Sequence, residues 1–210
     1  MNNRIKQILT ILEKNYGGTR TALKYQSPFQ LLVATMLAAQ STDVQVNIVT
    51  KKLFAHLPTP EAMARLSAQE LEPYIKTVGL YHTKARNIVA ASKLIAEKYG
   101  GEIPTTREEL MKLPGVGRKT ANVVLSIVTD FPAIAVDTHV FRVSNRLGLA
   151  HAGNVLETEK QLMKNIPQEK WADAHHWLIW HGRKICKARK PLCEQCPLKD
   201  YCEYFQTNQK

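Results

Sequence analysis

Apolar residues along this chain recur at helical spacing. Ile5, Ile8, Leu9 and Leu12 mark one face of a first helix. Residues 29–39 are apolar on nearly all sides, the pattern of a helix buried in a core. Ser41, Thr42 and Asp43 offer N-caps for a helix through Val44, Ile48 and Leu53. Pro58 and Pro60 break the chain. Ser67 and Glu70 form a capping box, and Gly79 ends the helix they open. Residues 84–99 are amphipathic and close at Gly100 and Gly101. Further helices are predicted over residues 106–111, 119–128, 138–147, 157–165 and 172–181. No alternating strand pattern of useful length, long linker or low-complexity segment interrupts them. The expectation is an all-α fold in two helical lobes. Their boundary is placed at Phe131 and Pro132, where one helix has ended and an apolar run leads into Asp137.

Composition narrows the class. With 210 residues and 44% hydrophobic residues, the chain can bury real cores, and disorder is not expected. Lys and Arg outnumber Asp and Glu by 29 to 18, which suits a polyanionic partner, nucleic acid before membrane. The longest apolar run is too short to cross a bilayer, and the first ten residues lack the apolar core of a secretory signal. A cytoplasmic protein is the expectation.

The string Leu113, Pro114, Gly115, Val116, Gly117 joins a short helix to a longer one beginning near Arg118. Pro114 fixes the exit of the first helix. Gly115 and Gly117 allow positive φ and close approach of another backbone. Val116 packs between the helices. Free N–H groups at the start of the second helix then form an anion site. An ordinary glycine-capped corner is the plainer alternative, and the basic composition favours phosphate.

Lys119 follows this turn. A solvated lysine touching phosphate would be the usual reading. The positive helix N-terminus and adjacent Arg118 both disfavour an ammonium, however, and a neutral amine is what a Schiff-base nucleophile requires. Asp137 precedes Thr138 and His139 and reads first as an N-cap. A capped carboxylate is also held rigidly enough to relay a proton or stabilise positive charge.

All four cysteines, Cys186, Cys193, Cys196 and Cys202, fall in one short segment. Such crowding points to a metal site, and four thiolates can hold either a tetrahedral zinc or a [4Fe–4S] cube. Lys187, Arg189 and Lys190 read by default as a solvated basic stretch; in a loop held rigid they would present a second phosphate grip. Trp177, Trp180 and His181 read as core residues of the helix leading into the loop.

The string at residues 113–124, with Val136, Asp137, Thr138 and His139, resembles the helix-hairpin-helix DNA glycosylases. So do Ser27, Pro28 and Phe29, the run from Ala39 to Asp43, Gly79, Leu80 and Tyr81, and the cysteine loop. The resemblance covers essentially the whole chain. It implies a six-helix lobe over residues 22–132 with the hairpin at about 107–128, and an iron–sulfur lobe formed by residues 1–21 and 133–210 with its cluster loop at 186–202. It implies a [4Fe–4S] cluster on the four cysteines. It also implies a bifunctional DNA glycosylase and AP lyase acting as a monomer on oxidised pyrimidines in damaged double-stranded DNA. Lys119 is then the nucleophile and Asp137 its carboxylate partner. Gly115, Val116, Gly117 and Arg118 grip the backbone, Gln40 fills the gap opposite the orphaned base, and Leu80 wedges into the stack. Without the resemblance, Gln40 is a helix-end residue and Leu80 ordinary core. Two alternatives stay open: an adenine-type glycosylase that only removes a base, disfavoured by Lys119 and by the chain ending soon after the cysteines, and a non-catalytic DNA-binding module.

Overall fold

The structure is a computed structural model that describes residues 2–19, 21–129 and 131–208. Helices and short 3-10 turns account for all regular structure among them, with no strand. The chain divides into two units: Ala22–Asp130, and Met1–Thr21 together with Phe131–Lys210.

The second of these begins with α1 (Asn3–Tyr16), capped by the Asn2 side chain. Its apolar face is the expected one: Ile5, Ile8, Leu9 and Leu12 are buried.

Within Ala22–Asp130 the first helix is α2 (Pro28–Ala38), opened by Ser27 with Pro28 in the first turn, where its missing N–H costs nothing. Leu31, Leu32, Ala34 and Leu37 are fully buried, as the all-round apolar pattern predicts. The expected helix forms as α3 (Asp43–His56), capped by Thr42. Val46, Val49, Thr50 and Leu53 face inward, while Val44 is 71% and Ile48 54% exposed. Val44 and Ile48 share a stripe at i, i+4, but the longer stripe 46, 49, 50, 53 wins the core. Pro60 opens a helix of its own, α4 (Pro60–Ala64), capped by the Thr59 hydroxyl, where only a break was expected. Among its described residues the unit therefore holds seven helices where six were expected. The capping box on α5 (Ala68–Ile75) is present in both directions. Next come α6 (Tyr81–Lys98), beginning one turn earlier than predicted, α7 (Arg107–Leu110) and α8 (Arg118–Val128). α4 and α5 pack on α6, and α2 packs on α8.

The chain then completes the unit that α1 began, with α9 (Thr138–Leu147), α10 (Val155–Asn165), α11 (Trp171–Lys184) and α12 (Glu203–Asn208). α11 packs against both α1 and α9, and Trp177, Leu178, Val140 and Val143 meet Ile8 and Leu12 in one core. Arg4 closes the unit. Its guanidinium donates to Leu147 O at 2.7 Å, Gly148 O at 2.7 Å and Tyr201 O at 3.0 Å, and it pairs with Glu203 at 2.9 Å. One side chain from α1 thus satisfies carbonyls at the end of α9 and fastens the segment leading into α12.

Arg4→Met keeps most of the stem and removes these donors. It should lower the unfolding free energy in urea by about 2 kcal/mol, the scale of hydrogen bonds from a charged group. Hydrogen exchange should quicken over residues 198–208 before it does over α11.

Candidate functional site

The hairpin forms as expected. Val116 N–H donates to Leu113 O, closing the turn, and Val116 is buried. The two glycines do different things. Gly115 has φ +78°, and a Cβ there would lie 2.8 Å from the Asn87 side chain, so conformation and packing both require glycine. Gly117 has φ −91° and ψ 175°, an extended backbone that any residue adopts, and a Cβ there would meet nothing within 4 Å. The expectation that both glycines serve the turn is corrected: nothing inside the unit requires Gly117. As N-cap of α8 it has no side chain to satisfy the first-turn N–H groups, which an anion approaching the open face can reach. Arg118 is half-buried. Lys119 is exposed, and its ammonium has no hydrogen-bond or ion-pair partner among the described residues.

Gln40 and Leu80 lie in the same unit, each in a turn. Both are non-glycine residues in left-handed backbone, with φ 56° and 60°. Each such residue costs about 1–2 kcal/mol. Gln40 is exposed and Leu80 is 59% exposed, so the plainer reading of Leu80 as core is wrong. The structure brings the turns together: a Cβ on Gly79 would lie 3.5 Å from Gln40 O.

Asp137 belongs to the other unit and is the N-cap of α9. Its Oδ1 accepts from His139 N–H at 2.9 Å and Val140 N–H at 2.8 Å. Oδ2 has no hydrogen-bond partner among the described residues. The cap fixes the carboxylate with one oxygen and leaves the other available.

The four cysteines line one cavity with Leu147, His181, Ile185, Leu192, Phe205 and others, and no carboxylate is in the lining. Yet no three His, Cys, Asp or Glu among the described residues are placed to hold a single metal ion. Four soft donors spread around an apolar cavity suit a multi-iron cluster better than one tetrahedral ion, whose thiolates lie about 2.3 Å from a single point. Burial first, and the neighbouring thiolates behind it, push Cys196 up to about 11; Cys193 and Cys202 are raised for the same two reasons. Four thiolates there need a cationic centre. His181, expected only in the core, takes more part than that: its Nδ1 meets the Tyr16 hydroxyl at 3.1 Å and its Nε2 lies 3.6 Å from Cys196 Sγ.

Residues 33–168 match the HhH-GPD superfamily of base excision DNA repair proteins, and residues 186–202 match the iron–sulfur binding domain of endonuclease III. The chain is 50% identical to endonuclease III of Rickettsia felis over 204 residues, 97% of this chain and 95% of that protein. It is 50% identical to endonuclease III of Escherichia coli K12 over 198 residues, 94% of each. The chain belongs to the endonuclease III family. A solved structure of a trapped endonuclease III–DNA covalent intermediate superposes with a TM-score of 0.91 at 47% identity, covering 100% of both chains. As in that family's iron–sulfur binding domain, the 186–202 segment carries a [4Fe–4S] cluster.

Two residues of this endonuclease III family chain escaped the sequence reading. Arg142 and Arg146, four apart on α9, brace the cluster loop: Arg142 Nη2 donates to Cys186 O at 2.9 Å and Gly182 O at 3.1 Å, and Arg146 donates to Lys187 O at 2.8 Å and Ala188 O at 3.1 Å. Their i, i+4 spacing is the only signal in the sequence, and it also fits two solvated arginines. Lys187, Arg189 and Lys190 all remain exposed on the loop so braced.

The two hairpin glycines should separate experimentally. Gly115→Ala should destabilise the unit by about 1–3 kcal/mol, because backbone and packing both resist a Cβ. Gly117→Ala should leave the melting temperature unchanged and weaken duplex binding on a salt titration, whatever the sequence.

Proposed function

We propose that this chain is a bifunctional DNA glycosylase and AP lyase of base excision repair, removing oxidised pyrimidines from duplex DNA and then cutting the strand. The observation that carries this reading is Lys119: an exposed, unpaired amine one residue into α8, directly after a turn whose free N–H groups suit a phosphate. The similarity to a protein trapped as a covalent intermediate with DNA supports it.

In the proposed reaction the Lys119 amine, having lost its proton, attacks C1′ of the damaged nucleotide. The C1′–N bond breaks, and the base leaves with its electron pair and takes up a proton. The C1′–O4′ bond of the resulting aminal then opens, O4′ taking up a proton, to give an iminium that acidifies C2′–H. Loss of that proton expels the 3′ phosphate by β-elimination, and water hydrolyses the imine to return the lysine. Asp137, whose Oδ2 is uncommitted, is assigned the lysine's proton and the stabilisation of positive charge on the sugar. Gln40 and Leu80 are assigned the gap left by the extruded base and the wedge into the stack.

Two elements are assigned to phosphates: the hairpin, through Gly115, Val116, Gly117 and Arg118, and the loop carrying Lys187, Arg189 and Lys190. Such contacts position the protein and read no sequence. Cys186, Cys193, Cys196 and Cys202 would hold the cluster, which supplies rigidity by tying one short loop at four points. One chain fills every role, which supports action as a monomer. A thiolate-bound cluster suits a reducing, cytoplasmic compartment, and no described helix is long and apolar enough to cross a membrane.

Borohydride reduces an imine to a stable amine, so wild type should form a denaturation-resistant complex with duplexes holding an oxidised pyrimidine or abasic site. Lys119→Gln should bind the same DNA yet neither trap nor nick. Base loss without a nick in the wild type would replace this reading with the adenine-type one; trapping by Lys119→Gln would move the nucleophile elsewhere. Purified protein should also be yellow-brown with about four iron per chain. One zinc and no colour would refute the cluster assignment.

A further inference from the structure

Lys84 sits on α6 with 6% of its surface exposed. Its ammonium donates to Leu37 O at 2.8 Å, Ala39 O at 2.6 Å and Ser41 Oγ at 3.2 Å. These are all the donors an ammonium has. No carboxylate pairs with it among the described residues. Burial lowers its pKa, and the carbonyls that end α2 supply the compensating negative charge. A cation buried without a counter-ion is an expensive way to fill core space that an apolar chain would fill as well.

What its acceptors flank accounts for its presence. Leu37, Ala39 and Ser41 bracket Gln40, one of the two non-glycine residues in left-handed backbone among the described residues of its unit. The backbone N–H of Lys84 donates to Leu80 O at 3.0 Å, and Leu80 is the other. One residue is thus bonded to both turns, through its ammonium to the first and its main chain to the second. A second tie runs beside it: Gln45 Nε2 donates to Thr77 Oγ1 at 2.6 Å. Gly79 stands beside the same turn, a Cβ there lying in ordinary contact with Gln40 O at 3.5 Å.

We infer that Lys84 is a positioning residue that joins the Gln40 and Leu80 turns into one preformed wedge for opening a duplex. The inference rests on the assignment of Gln40 and Leu80 to DNA. A wedge already ordered spares binding the cost of ordering two strained turns. Lys84 therefore matters where a base must be extruded from a stack. A single-stranded abasic site has no base to extrude and no partner strand to part.

Lys84→Met keeps the apolar stem and removes the donors. Three quantities are read on the cluster-containing protein: single-turnover excision from an oxidised-pyrimidine duplex, cleavage of single-stranded abasic DNA, and hydrogen exchange. Duplex excision should fall by about 10–100-fold, the scale of an ångström-level misplacement. Single-stranded cleavage should stay close to wild type. Exchange should quicken at residues 39–41 and 79–81 and not at 113–120. An equal fall on both substrates, or unchanged duplex excision, overturns the inference. Gln40→Ala and Leu80→Ala are run alongside. If neither slows duplex excision, the assignment of the pair fails and this inference with it; if they do and Lys84→Met does not, the positioning role alone fails. Should Lys84→Met not fold, Ser41→Ala removes one of the three acceptors and is judged by the same comparison, at smaller amplitude.

Discussion

Every α-helix leaves four N–H groups unpaired at one end and four carbonyls at the other, and where those groups go organises this protein. At three helix C-termini a basic side chain collects the carbonyls. Arg4 takes those of Leu147 and Gly148 at the end of α9. Arg142 takes those of Gly182 and Cys186 where α11 gives way to the cluster loop. Lys84 takes those of Leu37 and Ala39 at the end of α2. In each case the cation also fixes the direction in which the chain leaves the helix, and so places the turn or loop that follows. α9 also ends on a left-handed glycine cap, Gly148, and there the arginine adds the tie to a distant helix.

The N-termini are treated unequally. Most are capped by a serine, threonine or asparagine side chain, and α9 by Asp137. α8 has glycine at its cap and no side-chain bond. The contrast matches the two roles proposed for these ends. A capped carboxylate is rigid and keeps one oxygen free; an uncapped helix start keeps its N–H groups for an incoming anion, beside the amine proposed to attack the sugar.

The cluster loop obeys the same economy of local supports. Burial holds its Cys193, Cys196 and Cys202 thiols against ionisation unless a cationic centre binds them. Arg142 and Arg146 hold its carbonyls from α9, and His181 meets Cys196 from α11. The three basic residues left exposed between the first two cysteines therefore stand on a backbone fixed from both sides. A fixed backbone favours the phosphate-binding role proposed for them over that of a solvated charge run.

Much of this was legible in the chain alone. Helical periodicity, capping residues and the two-proline break report local energetics, which act between near neighbours, so the helices, the hairpin and the crowded cysteines could be read directly. Lys119 and Asp137 were singled out because a helix N-terminus is a local feature with a known field. Other features depended on contacts between residues far apart in sequence. Val44 and Ile48 match a helical stripe as well as Val46 and Val49 do, and only the packing of α3 chose between them. Gly115 and Gly117 look alike until Asn87 stands against the first and nothing against the second. Lys84 reads as one more lysine of an amphipathic helix, and its meaning lies in carbonyls more than forty residues earlier. The sequence by itself determined most of the segments that become helices, α4 and α12 excepted, and where chemistry is concentrated. Tertiary structure decided which carbonyl each cation reaches, because a hydrogen bond depends on distance in space and periodicity reports only distance along the chain.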